Sequence, residues 1–226
     1  MQIGGVQKTS LLDFPDKISA IVFTQGCNFR CGYCHNPELI NSKEQVWTLP
    51  ALFDFLKTRK GKLDGVVITG GEPCIQNDLE DVIKEIKTLG FLVKLDTNGY
   101  FPEKLKKLLP HLDYIAMDIK APLEKYSEIT RIKADTKKIQ ESINIIMNSG
   151  IDYEFRTTVV KSQLSFEDFE HIGQLIKGAK RYYLQKFIPS KLLDETLMNE
   201  TTYTNEDFKK IIEILNQYVP NVTLRN

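Results

Sequence analysis

Three cysteines, Cys27, Cys31 and Cys34, fall in the run Gly26-Cys27-Asn28-Phe29-Arg30-Cys31-Gly32-Tyr33-Cys34-His35. A short glycine-containing loop with the spacing C-x3-C-x2-C lets three sulfurs converge on one iron–sulfur cubane. Four thiolates ordinarily fill such a cluster, so three leave one iron open to a substrate or cofactor. The competing chemistry is structural zinc with His35 as fourth ligand. Adjacent Cys34 and His35 reach one tetrahedral ion poorly, and no second cysteine pair lies downstream. An electron carrier of the ferredoxin type would need a fourth thiolate. Cys74 is its one candidate, and a lone cysteine after Gly70-Gly71-Glu72-Pro73 is more often a small buried hydrophobe. A cytosolic chain keeps its thiols reduced, so clustered cysteines point to metal rather than to disulfides.

The elements that must hold this loop alternate strand and helix. Short apolar runs at 18–25, 64–70, 91–97, 114–119, 153–160 and 181–187 read as strands of a parallel sheet covered on both faces. Between them, Leu79, Val82, Ile83, Ile86 and Leu89 mark a helix that stops at Gly90, and Ile139, Ile143, Ile146 and Met147 mark one that stops at Gly150. Thr48, Ser165 and Thr204 stand where helix N-caps belong. The residues leave two architectures open, a doubly wound sheet or an incomplete barrel. With no repeat, low-complexity tract or Pro/Gly-rich linker, 1–226 reads as one domain.

The polar residues gather at the strand ends, where barrel enzymes place their chemistry. The second strand ends in Gly70-Gly71-Glu72-Pro73; the glycines allow close approach of backbone to a ligand, and Glu72 suits an ammonium. The third ends in Asp96-Thr97-Asn98-Gly99, of which Asn98-Gly99 is also a turn signal. The fourth ends in Asp118-Ile119-Lys120, whose charged members share a face, either as an ion pair or toward a ligand. In the fifth, Asp152, Glu154, Arg156 and Thr158 share a face, which reads as a wet, ligand-lined interior. The sixth offers Gln185, Lys186 and Phe187.

Lys plus Arg and Asp plus Glu both number 30, so the net charge is zero, and no basic stripe recommends a nucleic-acid partner. No apolar run reaches the roughly 18 residues of a membrane span, and the N-terminus carries no signal peptide. The expected location is the cytoplasm.

The sequence C-x3-C-x-Tyr-C after a first strand resembles the signature of the radical S-adenosylmethionine (SAM) superfamily, and Gly-Gly-Glu-Pro one strand later resembles that family's methionyl-amine motif. The resemblance implies a (βα)6 partial TIM barrel, one 4Fe–4S cluster on Cys27, Cys31 and Cys34, and SAM on the open iron with Tyr33 beside its adenine. Asp96, Thr97, Asn98, Asp118, Lys120 and Arg156 are similar to the residues that surround SAM in the activating enzymes of glycyl radical enzymes, Gln185 is similar to a residue that meets the adenine, and a monovalent cation near the first two carboxylates is implied. The run from Gly5 to Ala20, with Phe23-Thr-Gln-Gly-Cys and Tyr33-Cys-His-Asn-Pro-Glu, resembles the anaerobic ribonucleoside-triphosphate reductase activating proteins.

The implied reaction is reductive cleavage of SAM to a 5′-deoxyadenosyl radical that takes hydrogen from a glycine of a partner enzyme. The cofactors carry that chemistry, so no side chain is expected to act as acid or base. The expected partners are anaerobic ribonucleotide reductase and a one-electron donor such as flavodoxin or ferredoxin. With no cysteine after Cys74, only one thiolate-held cluster is expected. A chain that stops soon after the sixth strand would leave the barrel mouth open, which suits a glycyl loop better than a small molecule. The alternatives are an activase of the pyruvate formate-lyase type, or a compact small-molecule enzyme such as a 7-carboxy-7-deazaguanine synthase.

Overall fold

A computed structural model describes residues 1–41 and 46–225. It contains one sheet of eight strands in the order β1 to β8, so each strand lies beside its neighbours in sequence. The strands are β1 (Ile3–Ser10), β2 (Ser19–Thr24), β3 (Gly65–Gly70), β4 (Leu92–Thr97), β5 (Tyr114–Asp118), β6 (Asp152–Val159), β7 (Tyr182–Lys186) and β8 (Val222–Arg225). From β2 to β8 every pairing is parallel; β1 is antiparallel to β2. A doubly wound sheet reverses its strand order at a switch point. This sheet never reverses, so it winds as a partial barrel with β1 and β8 at its edges, and the choice left open by the sequence falls to the barrel.

The helices form for the reasons their patterns give. Thr48 caps α2 (Leu49–Lys57) by accepting from the Ala51 amide at 3.2 Å. α3 (Leu79–Thr88) buries Leu79, Val82, Ile83 and Ile86, a 3.6-period stripe in which each side chain contributes roughly 1.5–3 kcal/mol of transfer energy. Ser165 with Asp168, and Thr204 with Asp207, form reciprocal capping boxes at the starts of α7 (Phe166–Leu175) and α8 (Asn205–Leu215). α6 spans Thr136–Met147. Among the described residues there are three shorter α-helices, α1 (Pro37–Asn41), α4 (Pro102–Leu108) and α5 (Tyr126–Thr130).

Two strands escaped the sequence pattern. β1 carries paired glycines and exposed polar residues and is strand only because β2 supplies its partners. β8 has four residues. The expectation of a uniformly wet interior also needs correction. Near the N-terminal ends of the strands the barrel is plugged by Phe14, Ile21, Val67 and Tyr114. Just above, Glu154 is buried, accepting from the Tyr114 hydroxyl at 2.9 Å and from both terminal nitrogens of Arg225 at 2.7 and 2.9 Å. The Arg225 guanidinium lies 3.3 Å from the centroid of the Tyr183 ring. Of the four residues that share a face on β6, only Arg156 and Thr158 reach the cavity; Glu154 is sealed beneath it and Asp152 is exposed. A buried carboxylate needs a partner, and β8 provides it.

Candidate functional site

The cysteine loop leaves the end of β2 through Gly26, whose φ of 86° lies in the left-handed region that glycine tolerates. Its amide donates to the Leu39 carbonyl at 2.7 Å, and its carbonyl accepts from the Glu72 amide at 2.8 Å. Phe29 anchors the middle of the loop, buried against the edges of Tyr100 and Tyr126. The Arg30 amide donates to the Thr130 carbonyl at 2.9 Å, and its guanidinium donates back to the Cys27 and Phe29 carbonyls at 2.6 and 2.8 Å. These bonds fix a backbone with no regular structure, as a loop carrying chemistry requires.

A cavity of about 270 Å³ opens at the C-terminal ends of the parallel strands. Cys27, Cys31, Cys34 and Tyr33 form one wall; Gly70 and Gly71 form a side-chain-free edge. Asp96, Thr97, Asn98, Asp118, Lys120, Arg156, Thr158 and Gln185 complete it. A second recess, lined by His35, Thr158, Gln185, Lys186, Ile188 and Ser190, continues it past the end of β7.

Charged residues of three adjacent strands are joined here in a chain. Asp96 accepts from the Lys94 ammonium at 2.5 Å and from Arg156 Nη1 at 3.1 Å. Asp118 accepts from Arg156 Nε at 3.0 Å and from the Lys120 ammonium at 3.0 Å. Burial opposes the charge of Asp118, but Lys120 and Arg156 outweigh it and hold the carboxyl down at about 2. Burial likewise opposes Asp96, and Arg156 and Lys94 prevail, so it too sits below the usual carboxylate range. A carboxyl lowered in the folded state stabilises the fold above its unfolded value of about 3.9, and that contribution fades as pH falls through the folded value. Thermal unfolding of the metal-free protein should therefore lose stability between about pH 4 and pH 2. Asp118→Asn should lose less over that interval, and equal slopes for the two proteins would remove Asp118 from the account.

Of the predicted site residues, Glu72 is the exception to the shared cavity. Its side chain is wholly buried. One oxygen accepts from the Cys74 amide at 3.0 Å and the Thr97 hydroxyl at 2.8 Å, and the other from the Asn98 amide at 2.6 Å. Burial raises its pKa. Glu72 braces the end of β3 against the Asp-Thr-Asn-Gly turn, and Asn98 passes the brace on by donating to the Asn28 side chain at 2.8 Å.

Sequence reasoning also missed a strap. After β7 the chain crosses back over the cysteine loop, where the Leu193 amide donates to the Cys34 carbonyl at 3.1 Å and the Asp194 amide to the Gly32 carbonyl at 3.0 Å. Asp194 pairs with Arg131, which packs on Gly32. The segment carries no periodicity, so no pattern in it announced the contact. Ile188 and Ser190, at the start of this segment, line the second recess, which the expectation of an uncovered barrel did not include.

The donors suit a cluster with a ligand beside it. Burial raises the Cys27 thiol to about 12 and the Cys31 thiol above its ordinary value. Such thiols keep their protons until iron displaces them. A zinc site would gather its ligands within about 2.0–2.3 Å of one point. His35, the fourth zinc ligand that the sequence offered, instead has its Nε2 2.9 Å from the Ile188 carbonyl. Tyr33, on the cavity wall, has a buried hydroxyl with no partner among the described residues, and so does the Asn28 amide nitrogen. Thiols alone on one wall, unspent donors and a glycine edge fit an iron–sulfur cluster with a small polar ligand at its open side.

Residues 21–176 match the sequence profile of the Radical SAM superfamily. The chain belongs to that superfamily. It is 32% identical over 233 residues to a Methanocaldococcus jannaschii protein named "Putative glycyl-radical enzyme activating enzyme", covering 99% of this chain and 95% of the relative. It is 28% identical to the pyruvate formate-lyase-activating enzyme of Clostridium pasteurianum, covering 92% and 88%. Among solved structures it superposes on Streptococcus suis SuiB bound to S-adenosylmethionine with a TM-score of 0.70 at 14% identity, over 91% of this chain and half of that longer one. The chain is a radical SAM enzyme of the group that activates glycyl radical enzymes, and the superfamily implies a 4Fe–4S cluster and SAM. Among the described residues no helix is long and apolar enough to cross a membrane.

Proposed function

We propose that this chain generates the glycyl radical of an anaerobic ribonucleoside-triphosphate reductase. The observation that carries the reading is one cavity with three thiols on one wall and a cationic chain on its floor. A cluster and SAM bound there supply the chemistry, one-electron cleavage of the sulfonium to methionine and a 5′-deoxyadenosyl radical that takes a hydrogen atom from a glycine of the partner. Cys27, Cys31 and Cys34 would hold the cluster. Lys94, Arg156 and Lys120 outnumber Asp96 and Asp118, so this set is net +1 and suits the carboxylate end of SAM. Gly70 and Gly71 offer backbone groups to the methionyl end, Asn98 borders the cavity, Tyr33 is assigned to the adenine, and Gln185 stands where the cavity leads on to the second recess. No residue is assigned a proton transfer.

The choice of reductase rests on the N-terminal run and the cysteine loop, which resemble those activating proteins. A pyruvate formate-lyase type target is the second reading, favoured by the Clostridium relative. Both place the reaction in the cytoplasm, with electrons from a flavodoxin or ferredoxin. The test is anaerobic reconstitution with iron and sulfide, reduction, and addition of SAM with each candidate partner. 5′-Deoxyadenosine together with a glycyl radical signal on the reductase supports the proposal. The same signal on pyruvate formate-lyase alone moves it to the second reading. A product other than 5′-deoxyadenosine, made without a partner, replaces both with a small-molecule enzyme.

A further inference from the structure

Every carboxylate oxygen of the two acidic residues of the site already accepts from a positive side chain. Asp96 Oδ1 faces Lys94 and its Oδ2 faces Arg156, while Asp118 Oδ1 faces Arg156 and its Oδ2 faces Lys120. Lys94 is 2% exposed, on the interior face of β4 two residues before Asp96. Strand periodicity puts both side chains on that face. Beneath the ammonium, 5.9 Å away, lies the ring of Tyr114.

A monovalent cation, which the resemblance places near these carboxylates, needs oxygen ligands not already committed to positive charge. Here it would have to share Oδ1 of Asp96 with an ammonium tethered to the same strand, and every other oxygen of the pair with a guanidinium or ammonium, against the repulsion of those charges. It would also enter a set in which positive side chains already outnumber negative ones. These residues do not fit a bound cation.

We infer that Lys94 supplies this charge from the chain itself, so that the site binds SAM without a bound monovalent cation. Lys94 is a positioning residue. It touches Asp96, and through Asp96 and Arg156 it fixes the donors left facing the cavity. A tethered ammonium keeps one site geometry in sodium, in potassium or in neither. The inference rests on the SAM-binding reading above.

The test is SAM binding by calorimetry to the reconstituted protein at equal ionic strength in tetramethylammonium, sodium or potassium chloride. The large quaternary ion cannot replace a small cation at a carboxylate pair. The wild-type dissociation constant is expected to differ by less than about twofold among the salts. Lys94→Gln is expected to weaken binding by about tenfold or more in tetramethylammonium chloride, with sodium or potassium restoring most of the loss. Rescue by a small cation is a readout that a purely structural lysine would not give.

A wild-type protein that needs sodium or potassium overturns the inference. So does a Lys94→Gln protein that binds SAM normally in the quaternary salt, or one that binds weakly and is not rescued. Should Lys94→Gln not fold, the wild-type series decides alone, with Lys94→Met as the second variant. No SAM binding in any salt overturns the functional reading and this inference together, whereas cation dependence overturns this inference only.

Discussion

Replacing Cys27, Cys31 or Cys34 with alanine should abolish both the cluster and SAM cleavage, while Cys74→Ala keeps both. The four thiols differ in what surrounds them. The three loop sulfurs stand on the cavity wall beside the unpartnered Tyr33 hydroxyl and the Gly70-Gly71 edge. A 4Fe–4S cluster with only three protein thiolates has none in reserve, so losing one leaves two irons without a protein ligand. Cys74 is buried behind that edge, its sulfur 3.7 Å from the Thr97 hydroxyl. What matters at position 74 for the site is the amide that donates to Glu72, and alanine keeps it. Cys74→Ala should therefore cost about 1–2 kcal/mol through the small void it leaves, with iron content unchanged. Iron analysis and a 5′-deoxyadenosine assay on the four variants check this. Loss of iron in Cys74→Ala would make the site a four-thiolate cluster with no open iron, and the functional proposal would fall with it.

The sequence disclosed the cysteine loop and the strand-end residues because their chemistry is carried by residue type. Thiolates, a Gly-Gly pair and acid–base pairs at period two mean much the same wherever the backbone goes. It was silent where meaning depends on a partner far along the chain. Parallel barrels and doubly wound sheets share the same alternation of buried strand and amphipathic helix, and only strand order separates them. β1 and β8 are strands through their neighbours rather than their own composition. Lys94 stands unremarked inside an apolar strand until its bond to Asp96, and through it to Arg156, is seen. Glu154 reads as a cavity residue until Arg225, far along the chain, is seen to close over it. Glu72 shows the same limit in reverse. Gly70 and Gly71 of its motif line the cavity, yet its carboxylate is spent on three internal donors rather than on the cavity. A carboxylate with that many backbone and hydroxyl donors holds two loops in register, and the register is what brings Gly71 against Gly26.

Gly71→Ala puts that register to the test. A Cβ on residue 71 would stand 2.0 Å from the Gly26 carbonyl oxygen and 2.7 Å from its carbon. Those are backbone atoms, so no side chain can swing aside, and the loops must part. Parting them strains the bonds from the Gly71 amide to the Thr24 carbonyl and from the Glu72 amide to the Gly26 carbonyl, at 2.9 and 2.8 Å. Cys27 follows Gly26 directly and moves with it. A displacement of about 1 Å at a reacting centre costs on the order of a hundredfold in rate. Gly71→Ala is therefore expected to fold, to bind iron poorly and to cleave SAM about a hundredfold more slowly. Gly90→Ala separates this from general destabilisation. Its φ of 93° is strained for alanine, but nothing lies within 4 Å of the added carbon. That strain costs roughly 1–2 kcal/mol, or a few degrees in Tm for a chain of this size, with iron binding and cleavage untouched. If both variants lose stability and only Gly71→Ala loses the reaction, the contact between the two loops sets the position of the cluster. If Gly71→Ala cleaves SAM at the wild-type rate, the loops have freedom that this packing denies them, and the cavity edge is not what orients the ligand.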